Sequence, residues 1–376
     1  MITKPFIDRR IFSQIDLALI CILALIMGAG LLGLYSATHS QVDLPYQGIF
    51  RKQILWLPIA LCVFLSVNAI HYNRFSRWAY WIYGITIIFL IAVLVMGKQV
   101  QGARRWLCFG PFIFQPSELA KLSVVLAISK LTSNVETHKS THLSLGVSLI
   151  GLGMTLLPAV LVLVQPDLGS AIIIVLIGIS LLVLNKMPLR ILLVGIFLAS
   201  VFSPFVYNHL HEYQKARVRA FLNPGMDPTG TGYHINQSKI AIGSGQLLGK
   251  GFKQSTQTRL HYLPEHYTDF IFSVVAEEWG FLGACVLIVL YLLLILRSTE
   301  IALYSKDTFG YSLCIGASVY LFWHVLINLG MVTGLLPVVG VPLLFVSYGG
   351  SSLVAAIASL GLVQNVHMRR FLYKGT

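Results

Sequence analysis

Ionisable side chains fall at four points where the surrounding sequence is apolar: Glu118 with Lys121, Asp167, Asp269, and Glu277 with Glu278. A charge in hydrocarbon costs ~2.5–3.5 kcal/mol on insertion scales, so each is a candidate for function. Glu118 and Lys121 sit three residues apart, which puts them on one face of a helix. That spacing suits an ion pair holding helices together and equally a charged site, and leaves both open. Asp167 follows Gln165-Pro166 and suits the cap of a helix. Glu277 and Glu278 read as hydrogen-bonding groups between helices. Asp269 follows Tyr262-Leu-Pro-Glu-His-Tyr-Thr268 at the junction of a basic polar stretch and an apolar one. Partial desolvation at such a junction makes a carboxylate a better proton acceptor, so Asp269 reads as a general base.

The cations point to an anionic ligand. Arg105 in Gly102-Ala-Arg-Arg-Trp106, Lys121, Arg217, Lys239 and Lys250 have the chemistry of a phosphate clamp. Lys253 and Arg259 read as solvated loop charge. Glycines 243, 245, 249 and 251 cluster, but no strand precedes them and no Walker lysine follows, which argues against a nucleotide loop. Five cysteines lie scattered without a CxxC pair, so neither a disulfide framework nor a cysteine metal site is expected.

The elements that must position these residues are membrane helices. Of 376 residues, 56% are hydrophobic and only 11% charged, less than half the charge of a typical soluble domain. Mean hydropathy is +0.78. Apolar segments fall at 15–37, 54–70, 78–96, 117–132, 144–164, 169–184, 191–207, 270–296, 310–332 and 346–366. About 20 apolar residues cross a bilayer, so the expected fold is an all-α polytopic membrane protein of about ten helices. The first run is too long for a leader's apolar core and is read as a retained span.

The net charge of +13 sits at helix ends rather than in a nucleic-acid footprint, and no nucleic-acid partner is expected. With the N-terminus inside, the cytoplasmic segments hold fourteen Lys and Arg and the short outer loops five. Both termini are therefore expected in the cytoplasm. The fourth, sixth and eighth segments then begin outside, as does a long loop at 208–268. Its 232–243 stretch is expected to form an amphipathic helix, with Ile235, Ile240, Ile242 and Leu247 covered by the bundle. The breaker-rich run from Asn328 to Ser352 reads as a re-entrant element shaping a lipid-accessible groove.

Several stretches together carry a resemblance over nearly the whole chain. They are Gly102-Ala-Arg-Arg-Trp106, Gln115-Pro-Ser-Glu-Leu-Ala-Lys121, Gln165-Pro-Asp-Leu-Gly169, Gly232-Tyr-His234 with Gln237-Ser-Lys-Ile-Ala-Ile-Gly-Ser-Gly245, Leu263-Pro-Glu-His-Tyr-Thr-Asp-Phe-Ile-Phe272 and Ser347-Tyr-Gly-Gly-Ser351. The chain resembles the SEDS proteins (shape, elongation, division and sporulation). Lys239 and Thr256-Gln-Thr258 lean toward the rod-shape branch over the division branch. It departs from the family pattern at Gln246, where a Gly is usual, and at Leu344, where a second Pro is often found.

The resemblance implies one SEDS-type membrane domain over 1–376, in the inner membrane with its site outside. It implies a peptidoglycan glycosyltransferase that polymerises lipid II during lateral wall elongation. Asp269 matches the family's essential aspartate; Glu118, Lys121, Asp167, Arg217 and Glu265 match its motifs. Arg105 and Lys239 join the expected substrate-binding set. An α-linked donor and a β-linked product imply one inverting displacement. No cofactor is expected, with a divalent cation left open. A class B penicillin-binding protein and other elongation-complex proteins are the implied partners. A lipid II flippase and a non-catalytic scaffold are the alternative readings.

Overall fold

The computed structural model describes residues 14–39, 44–100, 103–109, 112–134, 142–209, 212–222, 231–256 and 267–370. Helices dominate in chain order: α1 (Leu17–His39), α2 (Leu44–Ala69), α3 (Tyr72–Met96), α4 (Pro116–Ser133), α5 (Leu145–Val164), α6 (Leu168–Leu184), α7 (Leu189–His209), α8 (Glu212–Leu222), α9 (Thr231–Ser244), α10 (Ile271–Leu303), α11 (Thr308–Val332) and α12 (Gly350–Arg369). Among the described residues, the addition to the expected all-α class is a small antiparallel sheet, β1 (Lys98–Val100), β2 (Ala103–Phe109) and β3 (Phe112–Phe114), in that order. Pairs such as Gln99 with Arg104 and Leu107 with Phe114 set its register. The sheet links α3 to α4 and carries Arg105.

Each of the ten apolar segments forms a helix, and α8 and α9 lie within the long loop. Among the described residues, seven helices are long and apolar enough to cross a membrane: α1, α2, α3, α5, α10, α11 and α12. At 17 residues, α6 is shorter. Glu118, Lys121 and Lys130 lower the hydropathy of α4.

Burial runs opposite to hydropathy among most of the spans. The most apolar, α1 and α10, are 33% and 28% buried, whereas α11 and α12, at hydropathies of 1.6 and 1.3, are 78% and 83% buried. Lipid is as good a solvent as leucine, so apolar helices can stay outside while small and polar residues collect where helices meet. Accordingly α4 buries Ser117, Ser123, Ser129 and Thr132, and α11 buries Ser312, Ser318, His324 and Asn328. Close approach follows: Gly316 of α11 faces Val125 of α4 with no room for a Cβ.

At one end of the bundle Asp16, just before α1, accepts from Arg297 of α10 at 2.8 Å and from the Leu19 amide at 3.0 Å. Burial alone would raise the Asp16 carboxyl, but the Leu19 amide and the Arg297 guanidinium outweigh it and hold the pKa below its usual value.

Two parts of the long loop need explanation. Helix α9 covers Ile235, Ser238 and Ala241 against α10 and α11, while Ile240 and Leu247 stay 52% and 67% exposed. The expected cover therefore reaches one face of α9 and not the other. Ser238 fixes that face, its hydroxyl 2.8 Å from Ser273 Oγ and donating at 2.6 Å to the Val332 carbonyl.

The second is a kink in α10 at Gly280, at φ 68° and ψ −167°. The turn after α9 repairs the break, because the amides of Lys250 and Gly251 donate at 3.0 Å each to the carbonyls of Glu277 and Glu278. In return the amides of Phe281 and Leu282 donate to the Gln246 and Leu247 carbonyls. A Cβ at Gly249 would lie 2.1 Å from the Glu278 carbonyl oxygen. Backbone contact with a broken helix, not phosphate binding, accounts for that glycine.

Candidate functional site

Asp269 lies in a turn at 267–270, immediately before α10, and is half-buried. Three bonds hold this turn from below. Asn328 Nδ2 of α11 donates to the Asp269 carbonyl at 2.9 Å, Ser347 Oγ to that of Thr268 at 2.5 Å, and the Tyr348 amide to that of Tyr267 at 2.9 Å. Ser347 also accepts from the Leu343 amide at 2.8 Å. The breaker-rich segment after α11 is thus a buried platform under Asp269, with Val341 and Leu343–Ser347 packed against protein. The re-entrant backbone is buried at these residues, while Leu335 of the same segment stays 75% exposed. Irregular backbone among membrane helices is stable only with such internal partners.

Arg217 of α8 reaches the same place. A Cβ built on Gly340 would be 3.5 Å from Asp269 Oδ2 and 3.9 Å from Arg217 Nη1. The base candidate and a guanidinium therefore border the same open space on the Cβ side of Gly340. Gly340 holds φ 77°, a conformation in which any side chain would be strained and would also fill this gap.

Glu118 and Lys121 form a second centre in the first turns of α4. Lys121 Nζ is 2.7 Å from Glu118 Oε1, with the two residues 1% and 3% exposed. The same ammonium is 3.0 Å from His324 Nε2 and 5.9 Å from the centroid of the Tyr320 ring, both on α11. His324 Nδ1 is 3.4 Å from the Pro342 carbonyl, two residues beyond Gly340. Glu118 Oε2, Tyr320 Oη and Asn328 Oδ1 are buried with no hydrogen-bond partner among the described residues.

Asp167 caps α6, accepting from the Ser170 amide at 3.2 Å, and its other oxygen accepts from Gln115 Nε2 at 3.2 Å. The two Gln-Pro entries, fifty residues apart in sequence, thus meet in space. Arg105 joins them by donating to the Pro166 carbonyl. Lys239 places its ammonium beside the backbone of Gly334. Lys250, grouped in sequence with the phosphate cations, is paired with Glu277 at 2.6 Å. Lys253 lies over the Tyr35 ring at 4.4 Å instead of being simply solvated. Glu265 falls outside the described residues. Among the described residues no three His, Cys, Asp or Glu side chains converge as a metal site.

Sequence reasoning passed over His324 and Asn328. Both are polar residues inside a span, and the rule that flagged Glu118 and Lys121 applies equally to a histidine at that depth. Neither belongs to a charged pair visible in the sequence.

A helical membrane bundle with a carboxylate, a guanidinium and a buried lysine gathered at one end is the fold of a multi-pass membrane enzyme. The chain belongs to the FTSW/RodA/SpoVE family of cell cycle proteins, whose family pattern matches residues 16–371. It is 40% identical over 368 residues to the peptidoglycan glycosyltransferase MrdB of Escherichia coli K12, covering 98% of this chain and 96% of that one. Against the probable peptidoglycan glycosyltransferase FtsW of Thioalkalivibrio sp. it is 35% identical, covering 94% and 90%. The crystal structure of the rod shape determining protein RodA of Thermus thermophilus superposes with a TM-score of 0.71 at 31% identity, covering 96% of this chain and 98% of that one. A chain from a peptidoglycan synthase complex that coordinates polymerization and crosslinking gives a TM-score of 0.80 at 32% identity, covering 96% and 99%.

Proposed function

We propose that Asp269 is the general base with which this chain, a peptidoglycan glycosyltransferase, joins lipid II units into glycan strands during lateral wall elongation. The observation that carries the reading is that the Asp269 carboxylate and the Arg217 guanidinium both border the open space beside Gly340. Asp269 takes the proton of the acceptor's 4-hydroxyl as that oxygen bonds to the donor's anomeric carbon. The bond from that carbon to the pyrophosphate breaks, and the polyprenyl pyrophosphate leaves with the electron pair. Arg217 stands where it can offset the charge gathering on that group. Lys121, sequestered by Glu118 and His324, supplies cationic potential from behind and must shed part of that shell to touch the phosphates. One displacement inverts the anomeric centre, so no second carboxylate nucleophile is required.

The wider setting follows from the same reading. The chain is one membrane domain over 1–376, crosses the inner membrane with about ten helices, and keeps both termini in the cytoplasm. Fourteen cytoplasmic Lys and Arg against five in the short outer loops support that orientation and put Asp269 outside. A class B penicillin-binding protein is its partner for peptide cross-linking, in keeping with the synthase complex that one relative's structure represents. Of the two deep carboxylates a flippase would use, Glu277 accepts bonds at both oxygens from Lys250, Ser255 and Thr256, which disfavours a moving charge. The direct test gives purified full-length protein lipid II in detergent, where no membrane sides exist. Glycan strands should form; no polymer there, with lipid II crossing vesicles that contain the protein, would replace the enzyme by a transporter.

A further inference from the structure

We infer that His324 and Asn328 are positioning residues for this reaction, His324 holding Lys121 and Asn328 holding the Asp269 turn. The inference rests on the reading of Asp269 and Lys121 given above and deepens it.

The two residues are one turn apart on α11, so both side chains leave the same face. Each grips the platform segment: Asn328 Nδ2 donates to the Val341 carbonyl at 2.7 Å, and His324 Nδ1 approaches the Pro342 carbonyl at 3.4 Å. Each also reaches one half of the charged site. Asn328 Nδ2 donates its second hydrogen to the Asp269 carbonyl at 2.9 Å, and His324 Nε2 lies 3.0 Å from Lys121 Nζ. Both side chains are 0% exposed, so no solvent competes for these bonds.

The chemistry fixes the directions. An amide nitrogen has two hydrogens, and the Asn328 amide spends both, one on Val341 and one on Asp269. A neutral imidazole has one donor and one acceptor. With Nδ1–H turned to Pro342, Nε2 offers its lone pair to the Lys121 ammonium. That ammonium then places one N–H on Glu118 and one on His324, with its charge facing the Tyr320 ring. A single helical face thereby sets Lys121 and Asp269 in one frame, with Pro342 and Val341 as the shared reference. Neither residue needs to touch the substrate.

The test uses full-length protein in detergent and separates kcat from KM for lipid II polymerisation, with folded yield measured on the same preparations. His324→Leu removes the acceptor and should raise KM at least tenfold, whereas His324→Gln, whose amide oxygen can accept from Lys121, should recover most of it. Asn328→Leu frees the Asp269 turn and should lower kcat at least tenfold. It should also move the midpoint of the acidic limb of the kcat/KM profile against pH, where the base titrates. Activity that falls only in step with folded yield, with KM and the pH midpoint unmoved, would overturn the inference. Equal loss in His324→Leu and His324→Gln would overturn the His324 half. These outcomes stay separate from failure of the underlying reading, since an active Asp269→Asn enzyme would defeat Asp269 as base whatever the α11 variants do.

Discussion

Among the described residues, two carboxylate–lysine pairs are alike in distance and opposite in setting. Glu277 with Lys250 is 2.6 Å long and Glu118 with Lys121 is 2.7 Å. Around Glu277 every need is met: Oε1 accepts from Lys250, from the Thr256 amide at 3.0 Å and from the Thr256 hydroxyl at 2.7 Å, and Oε2 from Ser255 at 2.5 Å. Around Glu118, Oε2 is buried without a partner among the described residues, and so is the nearby Tyr320 hydroxyl. A saturated buried carboxylate is a fastening, here between the α9–α10 loop and the kinked helix. An unsaturated one holds free energy in reserve, since a buried polar atom lacking a bond costs about 1–3 kcal/mol. The pair that has such a deficit sits one His324 side chain away from the platform beneath Asp269.

That contrast fixes the order of expected effects. Glu277→Leu should be the most damaging to folding, because it removes the acceptor of Lys250 and of four further donors; a loss of about 3–5 kcal/mol is typical when one partner of a buried pair is removed. Folded yield and thermal unfolding in detergent report it, and near-normal stability would erase the distinction between the pairs. Glu118→Gln should behave the other way. It keeps a side-chain oxygen for Lys121, so folded yield should change little while specific polymerase activity falls at least about tenfold. Poor yield with full specific activity would make Glu118 a packing residue like Glu277. Asp167→Ala should sit lower, costing about 1 kcal/mol through the lost cap of α6. The smallest effect belongs to the other end of the bundle and depends on pH. Because the folded Asp16 carboxyl titrates below its ordinary value of 3.8, its stabilisation is complete above about pH 4 and is lost as pH falls through the lower folded value. Asp16→Asn should therefore lower thermal stability at neutral pH and leave it unchanged in strong acid.

Much of this architecture was legible in the sequence, because span-length apolar runs have few physical readings. The errors lie at the ends. Arg51 and Lys52 broke the hydropathy of α2, so a helix from Leu44 was expected only from 54; Arg297 ended at 296 a helix that runs to Leu303. Helices continue past the hydrocarbon, where charges are welcome at the head groups. The charged positions of the site were visible for a related reason: charge among apolar residues is expensive and stands out. Hidden were the links between them. Nothing local announces that Lys250 will saturate Glu277, that Gln115 will meet Asp167, or that His324 and Asn328 will join Lys121 to the turn of Asp269. Those facts belong to packing across residues tens to hundreds of positions apart.

One substitution tests Asp269 as the base directly. Asp269→Asn is nearly isosteric and leaves the Asn328 bond to the backbone carbonyl in place, so the variant should insert, fold and be purified like the parent. Given lipid II in detergent, it should form no glycan strands, a loss of at least about 100-fold for a missing general base. Strand synthesis near the parental rate by that folded variant would contradict the assignment of the base and the mechanism built on it.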